Sequence, residues 1–238
     1  MSSMAPATFS GFQPEAIQFL ADLAANNDRS WFQPRKAEFE RLIKDPMEQL
    51  CTALADRFAA RDIPLRADPK RSPFRIYRDT RFSKDKSPYK THVSASFPFT
   101  GGPPAPDGAE DRPHGSGGYF HFQPGEMFAG GGMWMPERSR LEAFRRAIVA
   151  EPERVAAVLD EPAFVAAFGA AHGEGDDLKR VPAGYPSDHP MADRLRWKSI
   201  VFGRRLSDAD VFSPQLPDQL ADAYQLAVPV FAFLASLG

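Results

Sequence analysis

The chain has 238 residues, of which 43% are hydrophobic and 25% are charged, and its formal net charge at pH 7 is −2. This composition is typical of a globular protein, which excludes a chain that is disordered throughout. The slightly acidic balance argues against a surface coated in positive charge for non-specific binding of nucleic acid. We therefore predict one large domain over residues 1–238, with a disordered N-terminus over about residues 1–8.

The cysteine content and the N-terminus favour a cytoplasmic protein. Cys51 is the single cysteine, so it cannot form an internal disulfide, and residues 1–12 lack the basic start and apolar run of a secretion signal. No stretch approaches the roughly 18 apolar residues of a membrane span. Cys51 lies among apolar residues at helical spacing and is predicted to pack in the core. The oligomeric state cannot be inferred from these features.

Residues 13–60 are predicted to be mainly helical, with Pro14 in a first helical turn. Asp45-Pro46 resembles an N-cap followed by a first helical proline, so a break is expected near residue 45. The following segment contains too many prolines for a long helix, although residues 74–77 could form a short strand.

The centre of the chain predicts an antiparallel sheet. Apolar and polar residues alternate from His92 to Phe99, which is the pattern of a strand with one buried face. Residues 119–123 and 127–135 flank Pro124-Gly125, a pair suited to a type II turn, and are therefore predicted to form a hairpin. The Gly- and Pro-rich stretch over about residues 101–117 is expected to be a mobile loop.

The C-terminal part predicts short helices over residues 137–170, a strand over 200–205 and a closing helix over 214–236 that Pro229 should kink. With the elements above, this order predicts an α+β fold: a central, mainly antiparallel sheet of about 4–6 strands, flanked by N-terminal and C-terminal helices.

The most distinctive chemistry lies in residues 66–90. This segment carries nine lysines and arginines against three aspartates, a net charge of +6, so the rest of the chain carries −8. Arg75, Arg78 and Arg81 recur every three residues, and guanidinium groups bind carboxylate or phosphate in a bidentate manner.

Three interpretations of this segment stay open. Salt bridges to Asp79 and Asp85 could fix an irregular loop against the sheet. Alternatively, the arginines could converge on one anionic small molecule. In the third, the segment contacts nucleic acid, and its aromatic residues stack on bases. These aromatic residues, which could equally anchor the loop in the core, are Tyr77, Phe82 and Tyr89.

Residues 75–90 read Arg-Ile-Tyr-Arg-Asp-Thr-Arg-Phe-Ser-Lys-Asp-Lys-Ser-Pro-Tyr-Lys. This stretch resembles the signature of domain of unknown function 2461, a family of bacterial and fungal conserved hypothetical proteins, whose motif runs Arg-x-x-Arg-Asp-x-Arg-Phe and then Lys-x-Pro-Tyr-Lys. The matching residues are Arg75, Arg78, Asp79, Arg81, Phe82, Lys86, Pro88, Tyr89 and Lys90. The similarity extends to Asn26-Asn27, Trp31-Phe32 and Gly118-Tyr119. The resemblance implies membership of the family, but no substrate, cofactor or catalytic residue.

His92 and His121 are the candidate catalytic residues. Both occupy the outward register of their predicted strands, so they could share one polar sheet face with Ser94, Tyr119 and Gln123. A solvated sheet face without a site is the alternative. The histidines show no pair at metal-ligand spacing and no phosphate-loop signature is present, so we predict no metal and no cofactor.

Together these features favour a protein that binds an anionic, phosphorylated small molecule between the Arg75–Lys90 segment and the polar sheet face. Any hydrolytic or transfer reaction would use His92 or His121 as general acid or base. The predicted ligand-binding residues are Arg75, Arg78, Asp79, Arg81, Lys86, Tyr89 and Lys90. A nucleic-acid or protein interaction module, and a scaffold with a purely structural basic network, are the alternatives.

Overall fold

Four antiparallel strands form the centre of the protein in a computed structural model, which describes residues 8–81, 83–101 and 115–237. The strands lie side by side in chain order: β1 Val93–Pro98, β2 Gly117–Phe122, β3 Phe128–Met133 and β4 Ile200–Arg205. The predicted α+β class with an antiparallel sheet is therefore confirmed. Residues 1–7 and 102–114, which include most of the predicted flexible segments, lie outside the described residues, and Gly117 already belongs to β2.

Helices precede, interrupt and follow the sheet. The helices before the sheet are α1 Pro14–Ala25, α2 Arg29–Phe32, α3 Lys36–Phe39 and α4 Asp45–Ala60. The helices between β3 and β4 are α5 Arg138–Ala150, α6 Pro152–Leu159, α7 Pro162–Phe168 and α8 Ala192–Leu195. The helices after the sheet are α9 Asp208–Phe212 and α10 Leu216–Ala235. None of the helices within the described ranges combines the length and apolar content needed to cross a membrane.

Prolines begin several helices as predicted, since a first-turn proline lacks an N–H that would have no partner there. Pro152 and Pro162 open α6 and α7, and Pro46 lies in the first turn of α4. The break expected near residue 45 is wrong, however. The chain stays helical through a π-helical turn, Glu40–Lys44, which accommodates an irregularity without ending the helix.

The hairpin of β2 and β3 closes at Pro124-Gly125 as predicted. Gly125 has a φ of 76°, and the Glu126 N–H donates to the Gln123 carbonyl at 3.0 Å. Positive φ at the second central residue defines a type II turn and favours glycine. The turn fixes the strand register, which places Phe120 opposite Ala129 and His121 opposite Phe128.

One face of the sheet carries the core. Phe97 packs edge-on against Phe58 of α4 and against Tyr224 of α10, with ring centroids 5.9 and 5.8 Å apart. Phe120 on β2 is fully buried on the same face. Cys51 is also buried, as predicted, and burial raises the pKa of its thiol. The alternate residues of the strands form the opposite, outer face.

Residues 66–90 run along the free edge of β1 and then turn away from it. The Phe74 N–H donates to the Ser94 carbonyl at 2.9 Å, and the Ser96 N–H donates to Ser72 at 3.0 Å. The strand expected over residues 74–77 does not form, and the segment has only isolated bridges at Pro73 and Tyr77. Pro73 has no N–H to extend a ladder, which explains this difference.

Candidate functional site

Residues 76–90 form a closed loop, which we call the basic loop. Its base is joined by two backbone hydrogen bonds, from the Arg78 N–H to Pro88 at 2.9 Å and from the Lys90 N–H to Ile76 at 2.8 Å. The sequence-predicted site residues therefore divide into those at the tip of the loop and those at its base.

Ion pairs hold the tip of the basic loop together. Arg81 binds Asp79 through Nε at 3.0 Å and Nη2 at 2.7 Å, and Arg78 pairs with Asp85. The Arg81 hydrogen bonds lower the pKa of Asp79 to about 2. Because the Arg81 side chain is 78% exposed, water screens this pair strongly. These contacts match the internal salt-bridge interpretation of the segment.

Two further signature residues, Lys86 and Arg75, also interact with the loop. Lys86 Nζ donates to the Thr80 carbonyl at 2.8 Å. Arg75 is exposed and interacts electrostatically with Asp79. Phe82 of the signature lies outside the described residues. Arg78 and Arg81 are thus engaged by carboxylates of the loop.

Tyr89 anchors the base of the basic loop to the N-terminal helices. Asn27 brackets it with two hydrogen bonds: its Nδ2 donates to the Tyr89 carbonyl at 2.9 Å, and its Oδ1 accepts from the Tyr89 N–H at 3.0 Å. The Tyr89 ring is 1% exposed and stacks on Phe32 of α2 with centroids 4.1 Å apart. Of the two roles that the sequence leaves open for Tyr89, this geometry matches the anchor.

The Tyr89 hydroxyl is buried and has no hydrogen-bond partner among the described residues. An unpaired buried hydroxyl costs about 1–3 kcal/mol. Tyr89→Phe is therefore expected to leave the free energy of unfolding unchanged or to raise it by up to about 1 kcal/mol. Urea denaturation of both proteins measures this difference. A loss of stability comparable to that of a broken hydrogen bond would show that the hydroxyl has a partner.

The outer face of the sheet carries a connected set of polar side chains. His121 Nε2 lies 3.3 Å from Gln123 Oε1, and its Nδ1 lies 3.0 Å from the Tyr119 hydroxyl. If Nε2 carries the proton, Nδ1 accepts from the Tyr119 hydroxyl. Burial raises the pKa of Tyr119, and the nearby Ser94 side chain opposes this effect. Ser94 is 3% and His121 8% exposed. Ser94 and His121 are therefore buried, whereas His92, Tyr119 and Gln123 on the same face are partly exposed.

His92 lies directly beside this network. Its ring centroid is 4.6 Å from that of His121, which confirms that the two histidines share one face. Burial, followed by the proximity of His121 and Lys90, lowers the pKa of His92 to about 4. Burial also lowers the pKa of His121, against the opposing effects of Gln123 and Glu126. Both imidazoles are consequently uncharged at neutral pH.

Lys90 connects the basic loop to this face. Its Nζ lies 5.5 Å from the centroid of the Phe74 ring, and Phe74 in turn lies 6.4 Å from the ring of Tyr119. The structure thus gathers one ammonium, two imidazoles and two hydroxyls, which we call the outer-face cluster. Its members are Lys90, His92, Ser94, Tyr119 and His121.

A model of the family described as conserved hypothetical protein (DUF2461) matches residues 15–233. The chain belongs to this family. No curated protein and no solved structure matches it. The DUF2461 signature is now interpretable physically. Its arginines and aspartates shape the basic loop, Tyr89 anchors the loop, and Lys90 meets the outer-face cluster.

Sequence reasoning missed three neighbours of the cluster in this DUF2461 protein. Phe128 stacks on His121 with centroids 4.8 Å apart, and Phe74 lies near Lys90 as described above. Exposed Arg205 is paired across β3 and β4 with Phe128, which places it roughly 10 Å from His121 along the sheet. The alternation of side chains along β4, combined with the register of the β2–β3 hairpin, could have predicted that Arg205 lies on this face.

The acidic neighbours are few, and a metal centre has no basis in the described part of the chain. Glu126 influences the pKa of both Tyr119 and His121, and Glu174 influences that of Tyr119. Within residues 8–81, 83–101 and 115–237, no three His, Cys, Asp or Glu side chains are placed to hold a metal ion.

Proposed function

We propose that this chain is a cytoplasmic protein that binds an anionic, phosphorylated small molecule against the outer-face cluster, beside Lys90, His92 and His121. One observation carries the proposal: two imidazoles lie with their ring centroids 4.6 Å apart beside an ammonium on a half-buried face. Lys90 gives this face one formal positive charge at neutral pH, and its hydroxyl and imidazole groups can donate hydrogen bonds.

An anion suits this face for an electrostatic reason. Burial, followed by His121 and Lys90, lowers the pKa of His92, so the surroundings of this imidazole disfavour additional positive charge. A bound phosphate would reverse that field, and His92 could then take up a proton and donate to a phosphate oxygen. Half-burial strengthens both interactions, because the effective dielectric constant is lower than in water.

The basic loop contributes mainly through the position of Lys90. Arg78 and Arg81 are engaged by Asp85 and Asp79, so in this proposal they shape the loop without touching the ligand. Arg75 precedes the loop, directly after Phe74 in the chain, and interacts electrostatically with Asp79.

The same face would supply acid–base groups for a hydrolytic or transfer reaction. An uncharged His92 can act as a general base at neutral pH. Tyr119 and Gln123 occupy both ring nitrogens of His121. In this proposal His121 therefore positions His92 and does not itself transfer a proton. The Tyr119 pKa is raised by burial, and its hydroxyl stays protonated at neutral pH.

Lys90→Met is expected to weaken phosphate-ester binding about tenfold or more, since a charge-assisted hydrogen bond contributes about 1.5–3 kcal/mol. Methionine keeps most of the apolar stem that lies against Phe74. The measurement is thermal shift of purified protein with inorganic phosphate, a sugar phosphate, a nucleoside monophosphate and a short RNA. Histidine NMR titrations then report whether the ligand that binds raises the pKa of His92.

Lys84→Met is the matched control, because Lys84 is an exposed residue of the same loop and the charge change is the same. It should leave the affinity nearly unchanged. Equal weakening by both variants, or RNA binding that falls steeply with salt, would favour the nucleic-acid interaction module instead. The absence of any shift with all probes would favour a purely structural basic network.

A further inference from the structure

A cavity lies away from the outer-face cluster and shares no residue with it. Its volume is about 490 Å³, and it is lined by Arg180, Val181, Ser187, Ala192, Asp193 and Arg196. This volume lies within the range of about 300–1,000 Å³ typical of small-molecule sites. The lining combines two guanidinium groups and a hydroxyl with short apolar side chains, as such sites usually do.

The charges of the lining favour a negatively charged occupant. Asp193 pairs with Arg196 at 2.5 Å, which leaves one positive charge in excess. That charge belongs to Arg180, which forms no ion pair with any residue in the described ranges. A guanidinium fork that opens into a cavity suits the two oxygens of a carboxylate or phosphate group.

One wall of this cavity, the backbone around Arg196, is held in place before any ligand binds. The buried guanidinium of Arg145 donates to the carbonyls of Leu195 at 2.9 Å and Trp197 at 3.0 Å, and so fixes the backbone on both sides of Arg196. The Leu178 N–H donates to the Arg196 carbonyl at 2.9 Å, which ties the two walls together. Preorganisation of this kind lowers the entropy cost of binding.

We propose that this cavity is a second binding site, specific for a small molecule that carries one carboxylate or phosphate group on a short apolar body. Arg180 provides the bidentate contact, Ser187 a hydroxyl donor, and Val181 and Ala192 the apolar wall. Arg196 supplies additional positive potential that Asp193 partly neutralises. The proposal is independent of the function assigned to the outer-face cluster, because the two sites use different segments of the chain.

The test uses the full chain labelled with ¹⁵N and titrated separately with inorganic phosphate, phenyl phosphate and butyrate. Saturable shifts are expected at the amides of Val181, Ser187 and Ala192, with tighter binding of the two probes that have an apolar body. Arg180→Gln is expected to weaken binding about tenfold, the effect of losing roughly 1.4 kcal/mol. Lys179→Gln, the same charge change one residue away from the lining, should change the affinity less than about twofold.

Asp193→Asn gives a result of opposite sign. Its side chain is 85% exposed, so the variant should fold, and removal of the competing carboxylate is expected to strengthen anion binding. Shifts that do not saturate, equal weakening by Arg180→Gln and Lys179→Gln, or weakening by Asp193→Asn would each overturn the proposal. Lys90→Met should leave this site unaffected, so failure here and failure at the outer-face cluster are distinguishable.

Discussion

Asn27→Ala is expected to lower the free energy of unfolding by about 2–4 kcal/mol. The Asn27 side chain is the hydrogen-bond partner of both the N–H and the carbonyl of Tyr89, at 3.0 and 2.9 Å. Tyr89 is buried, so truncation would leave two backbone groups without partners and without water. Each such group costs about 1–3 kcal/mol, and the two costs need not add fully.

Urea denaturation of the wild type, Asn27→Ala and Asn26→Ala measures this effect. Asn26 is the matched control, because its Nδ2 donates to the Asp22 carbonyl at 2.9 Å on the exposed end of α1. Its truncation should cost less than about 1 kcal/mol, as is usual for an exposed hydrogen bond. If Asn27→Ala proves no more costly than Asn26→Ala, the bracket around Tyr89 does not hold the loop.

The bracket also connects stability with the proposed function. Lys90 follows Tyr89 directly, so the position of its ammonium over Phe74 depends on how Tyr89 is fixed. Asn27 lies 62 residues away from Tyr89 in the sequence, on the turn between α1 and α2. The N-terminal helices therefore help to build the outer-face cluster although they contribute none of its side chains.

The elements that sequence analysis predicts well are those with local causes. Alternation from His92 to Phe99 reflects a strand with one buried face, and Gly125 provides the positive φ of the hairpin turn. These signals depend on neighbours within a few residues, and they suffice for the fold class and for three of the four strands. The strand Ile200–Arg205 was also predictable, because a short segment that begins with apolar residues is typical of a strand.

The failures and omissions have non-local causes. The pairing of residues 72–74 with β1 depends on a neighbouring strand, and the partner of Tyr89 lies on a distant turn. The π-helical turn before α4 has no reliable local signature. Arg205 joins the surroundings of His121 only through the registers of two strand pairs. Sequence alone therefore placed His92 and His121 on one sheet face but could not decide how the arginines would be engaged.

Lowering the pH from 7 to about 4 is expected to destabilise the protein by about 2–3 kcal/mol through His92. Its pKa in the folded protein is about 4, below the ordinary value of 6.5, so the unfolded chain binds more protons between these two values. Stability from this residue is thus complete above about pH 6.5 and is lost as the pH falls toward 4. His121, whose pKa is also lowered, acts in the same direction.

The measurement is urea denaturation of the wild type and His92→Gln at pH 7, 6, 5 and 4.5, with a flatter pH dependence expected for the variant. The lowered pKa of Asp79 affects stability mainly below about pH 4, so its contribution lies largely outside this window. An identical slope in both proteins would show that His92 is not desolvated.

A bound anion should change the pH dependence in a predictable way. If the ligand lies beside His92, it raises the pKa of that imidazole above its value of about 4, and by linkage its affinity must increase as the pH falls from about 6.5 toward 4. As the pH falls, the protein without ligand would then become less stable while its affinity for the ligand increases. An affinity that stays constant or decreases there, once the ionisation of the ligand itself is accounted for, would place the ligand away from His92.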